Sequence, residues 1–294
     1  MAVSLEITFL GTSSPIHTGH RFGPCQVVSG GGVNLLIDIG WGATLRLYQA
    51  GIPPQRIDAV FFTHLHSDHT TDMADFLVMR WVGGATAPLP VYGPAGTARM
   101  VAGFREALAA DTKFRLDHHG EKLSPVATEC DVKEVSAGEE PAVIATVGEI
   151  AVKAFHVDHR PVMPAFGYRL ERNGRSVVIS GDTVACAGLL NGSQGADLLV
   201  CDSMNKRMMA DVEGRLRGIG NELQASLLAD AHTYHASVED GAAIARDAGV
   251  KHLVLSHVMP AIVPEQEAEF TAGLDAIYDG KISVAHDLER FPLE

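Results

Sequence analysis

Four side chains able to bind a metal stand within six residues in the run His64-Leu65-His66-Ser67-Asp68-His69. The run follows directly on the apolar stretch 57–63, Ile-Asp-Ala-Val-Phe-Phe-Thr, which reads as a buried strand. A strand end holds the backbone still, and the turn after it lets side chains i, i+2, i+4 and i+5 converge. Neutral imidazoles with a carboxylate suit Zn²⁺. Structural zinc sites are usually closed and cysteine-rich, whereas a His/Asp set leaves positions open for water or substrate. A histidine-rich surface loop is the plainer explanation, but it leaves the rest of the chain unaccounted for. His156 and His159 follow a predicted strand at 150–155, and Asp182 follows one at 176–179, in Ser180-Gly181-Asp182-Thr183. His257 follows a fourth, at 253–256.

Such a set needs a rigid frame with its loops free at one edge. Short apolar runs predict strands at 5–10, 34–39, 58–63, 89–92, 150–155, 176–180, 197–201 and 253–256. Many are continuous rather than alternating, as in strands covered on both faces. Helices are predicted at 42–50, 70–81, 96–110, 222–231 and 238–248. The last has clean ends: Ser237 caps it with Asp240 three residues on, and Gly249 stops it. His235 therefore stands just upstream of a helix N-terminus. The charged, weakly patterned stretch 111–141 is expected to cover the site or mediate association. With no repeat and no linker, residues 1–294 are expected to form one α/β domain.

Composition narrows the class. The 294 residues carry a formal net charge of −13, which argues against a general nucleic-acid binder because phosphate backbones attract basic surfaces. Cys25, Cys130, Cys186 and Cys201 are scattered and read as buried thiols in a reducing compartment. The N-terminus has no basic region before an apolar core, and no apolar run approaches the ~18 residues of a membrane span. A soluble cytoplasmic protein is the expectation.

Taken together, these motifs resemble the metallo-β-lactamase-fold hydrolases, and within them the group containing tRNase Z and the metallo-type arylsulfatases and phosphodiesterases. The likeness covers nearly the whole chain. Besides the His-x-His-x-Asp-His run it rests on Phe9-Leu10-Gly11-Thr12-Ser13-Ser14-Pro15, Leu35-Leu36-Ile37-Asp38-Ile39-Gly40, Phe166-Gly167-Tyr168-Arg169, Ser180-Gly181-Asp182-Thr183 and Leu255-Ser256-His257. The resemblance implies a four-layer αββα sandwich and a homodimer. It implies two zinc ions, with Mn²⁺ or Fe²⁺ as alternatives. His64, His66 and His159 would hold one ion, and Asp68, His69 and His257 the other, with Asp182 bridging. His156 competes with His159 for its place. Asp38 would support the metal loop from behind.

The same resemblance puts His235 near the leaving group, with His232 as a competitor. Asp202 occupies the position where relatives carry a Glu that orients this His. Asp68, His235 and Asp202 thus make the expected catalytic set. Two divalent ions ~3.5–4 Å apart would lower the pKa of a shared water toward ~7 and supply an attacking hydroxide.

The substrate reading expected here is a small ester of sulfate or phosphate, with nucleic acid disfavoured. The tRNA-gripping arm of tRNase Z is commonly inserted after the third metal-ligand motif, where residues 160–181 leave room only for a hairpin. Arg160, Arg169, Arg172 and Arg175 cluster there but read as a solvated face. tRNA 3′-processing is the alternative, as is a lactonase or β-lactamase, which would not need His235. A redox di-iron domain is a reading from another class. It usually has Glu at the position of His66, so His66 favours hydrolysis.

Overall fold

The computed structural model describes residues 3–294. In chain order its strands are β1 (Leu5–Gly11), β2 (Cys25–Gly30), β3 (Val33–Ile37), β4 (Ala59–Phe61), β5 (Leu89–Gly93), β6 (Cys130–Glu134) and β7 (Ala142–Val147). They continue as β8 (Ile150–His159), β9 (Val162–Arg172), β10 (Arg175–Ile179), β11 (Leu198–Met204), β12 (His252–Met259), β13 (Lys281–Val284) and β14 (Arg290–Leu293). One seven-stranded sheet runs β14-β1-β2-β3-β4-β5-β6, and a second runs β13-β12-β11-β10-β9-β8-β7. Both are mixed. The stretches β3 to β6 and β10 to β13 are parallel, and the remaining pairs are antiparallel.

Parallel neighbours need crossover connections, and the crossovers bring helices onto the outer faces. Helices α1 (Ala43–Gln49), α2 (Met73–Val82) and α3 (Thr97–Ala107) cover the first sheet, where Leu47, Phe76 and Val101 pack on Leu36 and Val60. The others are α4 (Ala109–His119), α5 (Ala187–Ser193), α6 (Lys206–Gly218), α7 (Glu222–Ala231), α8 (Val238–Asp247) and α9 (Glu267–Phe270). Of these, α5 and α8 cover the second sheet through Leu189, Val238 and Ala242. Between the sheets lies one core, with Ile7, Val28 and Phe61 from one side and Val152, Tyr168 and Val200 from the other. The result is the four-layer αββα order. Burial on both faces explains why these strands read as continuous apolar runs.

The differences from the sequence reading are informative. The helix predicted at 96–110 breaks at Leu108, and the weakly patterned stretch after it holds α4 and β6. That stretch does not cover the strand-end cluster. Helix α4 joins α2 and α3 around a separate cavity of about 640 Å³, lined by Leu77, Trp81, Leu108 and Leu116 among others. Helix α6 and the strands β2, β7, β9, β13 and β14 are further elements that the sequence reading does not predict. Strands β8, β11 and β12 run past their predicted ends, so His159, Asp202 and His257 lie inside strands rather than after them.

Candidate metal centre

The C-terminal ends of β4, β8, β10, β11 and β12 meet at one edge of the sandwich, and seven side chains converge there. His64 and His66 lie between β4 and a single 3₁₀ turn, Ser67–His69, that carries Asp68 and His69. The turn brings all four toward one point. His64 Nε2 and His159 Nε2 stand 3.1 Å and 3.2 Å from His66 Nδ1. Asp182 Oδ2 lies 3.8 Å from His64 Nε2 and 4.0 Å from His159 Nε2. On its other side, Asp182 Oδ1 is 3.3 Å from His69 Nε2, and Oδ2 is 3.4 Å from His257 Nε2. Asp68 Oδ2 completes this second group, 3.6 Å from His69 Nε2 and 3.5 Å from His257 Nε2. Asp182 therefore belongs to both groups of donors, and to a third with Asp202, His235 and His257.

His257 reaches the cluster because of a bulge. Asp202 pairs with Ser256 and Ser203 with Val258, which leaves His257 as the extra residue of β12. Its φ of 53° is unusual for a residue with a Cβ. A bulge re-aims a side chain that a regular strand would send elsewhere. Asp38 also has a positive φ, 57°.

The far nitrogens of the rings are held. His69 Nδ1–H donates to Asp38 Oδ2 at 2.7 Å. Thr63 Oγ1 donates to the same oxygen at 2.8 Å, so its lone pair is left to accept from His64 Nδ1–H at 3.1 Å. His159 Nδ1–H donates to the carbonyl of Tyr234 at 2.9 Å, and His257 Nδ1 faces Asp202 Oδ1 at 3.4 Å. A proton fixed on the outer nitrogen leaves the inner nitrogen as a lone-pair donor, which is how metal-ligating imidazoles are oriented. His69 Nε2 is buried and has no hydrogen-bond partner. Inward lone pairs, facing carboxylates and an orphaned nitrogen fit divalent cations, and the N/O donors suit zinc.

Electrostatics differ across the cluster. Burial, with the neighbouring His69 adding to it, holds His64 well below the usual histidine range, and burial with His159 lowers His66. Burial also pulls on His69 and His257, but carboxylates outweigh it. Asp182, Asp68 and Asp38 push His69 well up, and Asp182, Asp202 and Asp68 push His257 up to about 10. Asp182 is wholly buried, yet His257 and His69 hold its carboxyl well below the normal range. Without a cation, the carboxylate-rich side takes up protons instead.

His235 sits beside the cluster. Its Nδ1–H donates to Asp202 Oδ2 at 2.7 Å, with Asp182 Oδ2 at 4.0 Å. Asp202 is long enough for this contact because it lies inside β11, and its Oδ2 also accepts the Thr183 N–H at 3.2 Å. His232 is turned away onto Glu213 at 2.7 Å. His156 lines a separate cavity of about 230 Å³ with Glu139, Asp158 and Cys186. Two residues separate it from His159, and an offset of three along a strand puts the two side chains on opposite faces, so β8 aims only His159 inward. The four arginines of the hairpin region are paired with Asp158, Glu171, Glu149 and Asp197. Thr63 and Tyr234 were not anticipated. Each directly precedes a candidate histidine, but a carbonyl acceptor leaves no mark in a sequence.

Residues 33–258 match the family model of the beta-lactamase superfamily domain. The chain belongs to the beta-lactamase superfamily. This superfamily member is 37% identical over 294 residues to a ribonuclease Z of Mycolicibacterium paratuberculosis, covering 99% of each chain. Among solved structures it resembles the metallo-beta-lactamase fold protein YhfI from Bacillus subtilis, with TM-score 0.70, 19% identity and coverage of 98% of this chain and 99% of that one. It also resembles human tRNase Z, short form, with TM-score 0.67, 22% identity and coverage of 97% and 98%. Membership and likeness together make it a metal-dependent hydrolase acting on ester bonds.

Two expectations are thereby corrected. The small sulfate- or phosphate-ester reading, with nucleic acid disfavoured as a partner, gives way to the ribonuclease Z likeness. The short segment 160–181 does not separate this chain from that relative, which it matches nearly end to end. Net charge failed as a guide because it sums the whole surface, while a nucleic acid meets one face. Among the described residues no helix is long and apolar enough to cross a membrane.

Proposed function

We propose that this protein is a phosphodiester hydrolase of the ribonuclease Z type that processes the 3′ ends of tRNA precursors. The observation that carries this reading is the 37% identity to a ribonuclease Z over 99% of both chains. The His235–Asp202 pair beside the cluster supports it, because cutting a phosphodiester expels an alkoxide that needs a proton. Residues 1–294 are proposed to act as one hydrolase domain, its sheets sharing the inter-sheet core.

In this reading His64, His66, His159 and Asp182 would hold one Zn²⁺, and Asp68, His69, His257 and Asp182 a second. Bound there, such a pair lowers the pKa of a water and neutralises charge on the phosphodiester. Asp182 sets the separation of the two groups, since each carboxylate oxygen faces donors of the second and Oδ2 faces both. Asp202 holds the Nδ1–H of His235, so when the ring is doubly protonated its Nε2–H is the proton given to the leaving oxygen, and the neutral Nδ1–H ring is left behind. Asp38 and Thr63 hold the His64 and His69 rings in their tautomers.

The test is cleavage of a 3′-extended tRNA precursor by zinc-loaded protein, with chelator-treated protein as control. We expect a single chelator-sensitive cut that releases the 3′ trailer. Intact precursor, under conditions where the same sample hydrolyses bis(p-nitrophenyl) phosphate, would overturn the proposal.

A further inference from the structure

An aromatic stack stands at the rim of the centre and takes no part in the chemistry above. His17 is exposed, and its ring lies on Trp41 with centroids 4.1 Å apart and planes 28° from parallel. Phe22 stacks on Trp41 at 5.1 Å and 28°, and the Arg46 guanidinium sits 4.1 Å over the Phe22 ring. Arg46 is in turn held by Asp287 at 3.1 Å, and Asp287 also accepts the Phe22 N–H at 2.8 Å. One end of the stack is thus anchored and the other is open to solvent.

The loop bearing His17 and the turn bearing Trp41 flank the Asp68–His69–His257 group. Gly40, directly before Trp41, lies so close to Asp68 that a Cβ there would come within 2.5 Å of its carbonyl oxygen. On the other side Thr12 accepts the Val258 N–H at 3.0 Å, one residue past His257. His20 Nε2 meets the Ile262 carbonyl at 3.1 Å, tying the far end of the loop to the segment after β12. The loop is tethered at both ends, but the rings at its centre are not. The His17 ring makes no hydrogen bond among the described residues, and the buried Trp41 Nε1 has no acceptor. Trp81 Nε1, by contrast, donates to the Ser124 carbonyl at 2.9 Å. Ring contact alone holds His17 on Trp41, so a flat heteroaromatic can join the stack without breaking a hydrogen bond.

We propose that His17 and Trp41 form a nucleobase platform that stacks a base next to the scissile phosphate. The ligand class is an unpaired nucleotide, recognised by its π-face rather than by its sequence. The idea rests on the phosphodiester reading and adds a contact for the base beside the scissile phosphate.

Tryptophan fluorescence gives a readout separate from turnover, because the chain has only two tryptophans. In metal-loaded Trp81→Phe protein, emission comes from Trp41 alone. Adenosine 5′-monophosphate should quench it saturably, while ribose 5-phosphate, which has the same phosphate and no base, should not. His17→Ala should weaken the adenosine monophosphate response at least five-fold, and by calorimetry Trp41→Leu should weaken binding further. Equal responses to the two probes, no response to adenosine monophosphate, or an unchanged affinity in His17→Ala would each overturn the platform. Base-dependent quenching in a protein that leaves tRNA precursors intact would sink the processing reading alone. Cleavage without base-dependent quenching would sink the platform alone.

Discussion

The two halves of the cluster share Asp182 and are otherwise built on different physics. The His64–His66–His159 half offers three imidazoles and one carboxylate. Burial and mutual proximity lower His64 and His66, so these two rings are ready for a cation without first losing protons. The Asp68–His69–His257 half adds Asp68, with Asp38 and Asp202 behind the rings. Those carboxylates raise His69 and His257, so a cation entering there must displace protons. The lesson is that similar donors become a neutral or a proton-loaded site according to how many carboxylates stand behind them. The half with the greater negative charge should bind more strongly at high pH and lose its ion first on acidification.

The largest test removes what the halves share. Asp182→Ala should strip both groups, leaving less than one metal per chain by elemental analysis and lowering turnover by more than ~10³-fold. Retention of one firmly bound ion would show that one half stands alone. His235→Ala removes none of the seven converging donors. It should keep full metal content while kcat falls ~10²–10⁴-fold, and near-normal turnover in metal-replete protein would remove the proton-donor role.

Asp38→Asn separates the halves. Weakening the grip on His69 should cost about 10–100-fold in affinity for the ion of the carboxylate-rich half and little for the other. Competition titration with a chromophoric chelator would resolve two classes of site, and an equal loss in both would erase the distinction. The smallest effect is on stability. In metal-free protein His257, at about 10, binds its proton more tightly folded than unfolded. Its contribution is complete below ~6.5, the ordinary histidine value, and is lost as pH rises toward about 10. His64 has the opposite sign, its contribution being present above ~6.5 and lost as pH falls. Chelated protein should therefore lose several degrees of Tm between pH 7 and 10, while zinc-loaded protein should lose less, since its His257 carries no proton.

Which donors converge was largely legible from the chain. His64, His66, Asp68 and His69 announce themselves by spacing, and Asp182 and His257 by following apolar runs. Family motifs then supplied the αββα sandwich and the places of His159, His235 and Asp202. What could not be read was direction. His156 and His159 follow the same apolar run, and it is the continuation of β8 through residue 159 that puts them on opposite faces and only His159 inward. His257 looks like a strand-end residue, yet it is a bulge at φ 53° that aims it. Substrate class was misjudged from net charge and segment length, both properties of the whole chain rather than of a surface.

The sequence by itself determined the donor types, their order along the chain and the two-sided burial of the strands, because composition and period act locally. Tertiary structure alone decided which nitrogen of the His69, His159 and His257 rings faces inward, since that depends on acceptors from distant segments: Asp38, the Tyr234 carbonyl and Asp202. It also decided that Asp202 meets both His235 and His257, and that His17 lies on Trp41. Contacts between residues far apart in the chain are fixed by how the two sheets pack, and no local pattern encodes them.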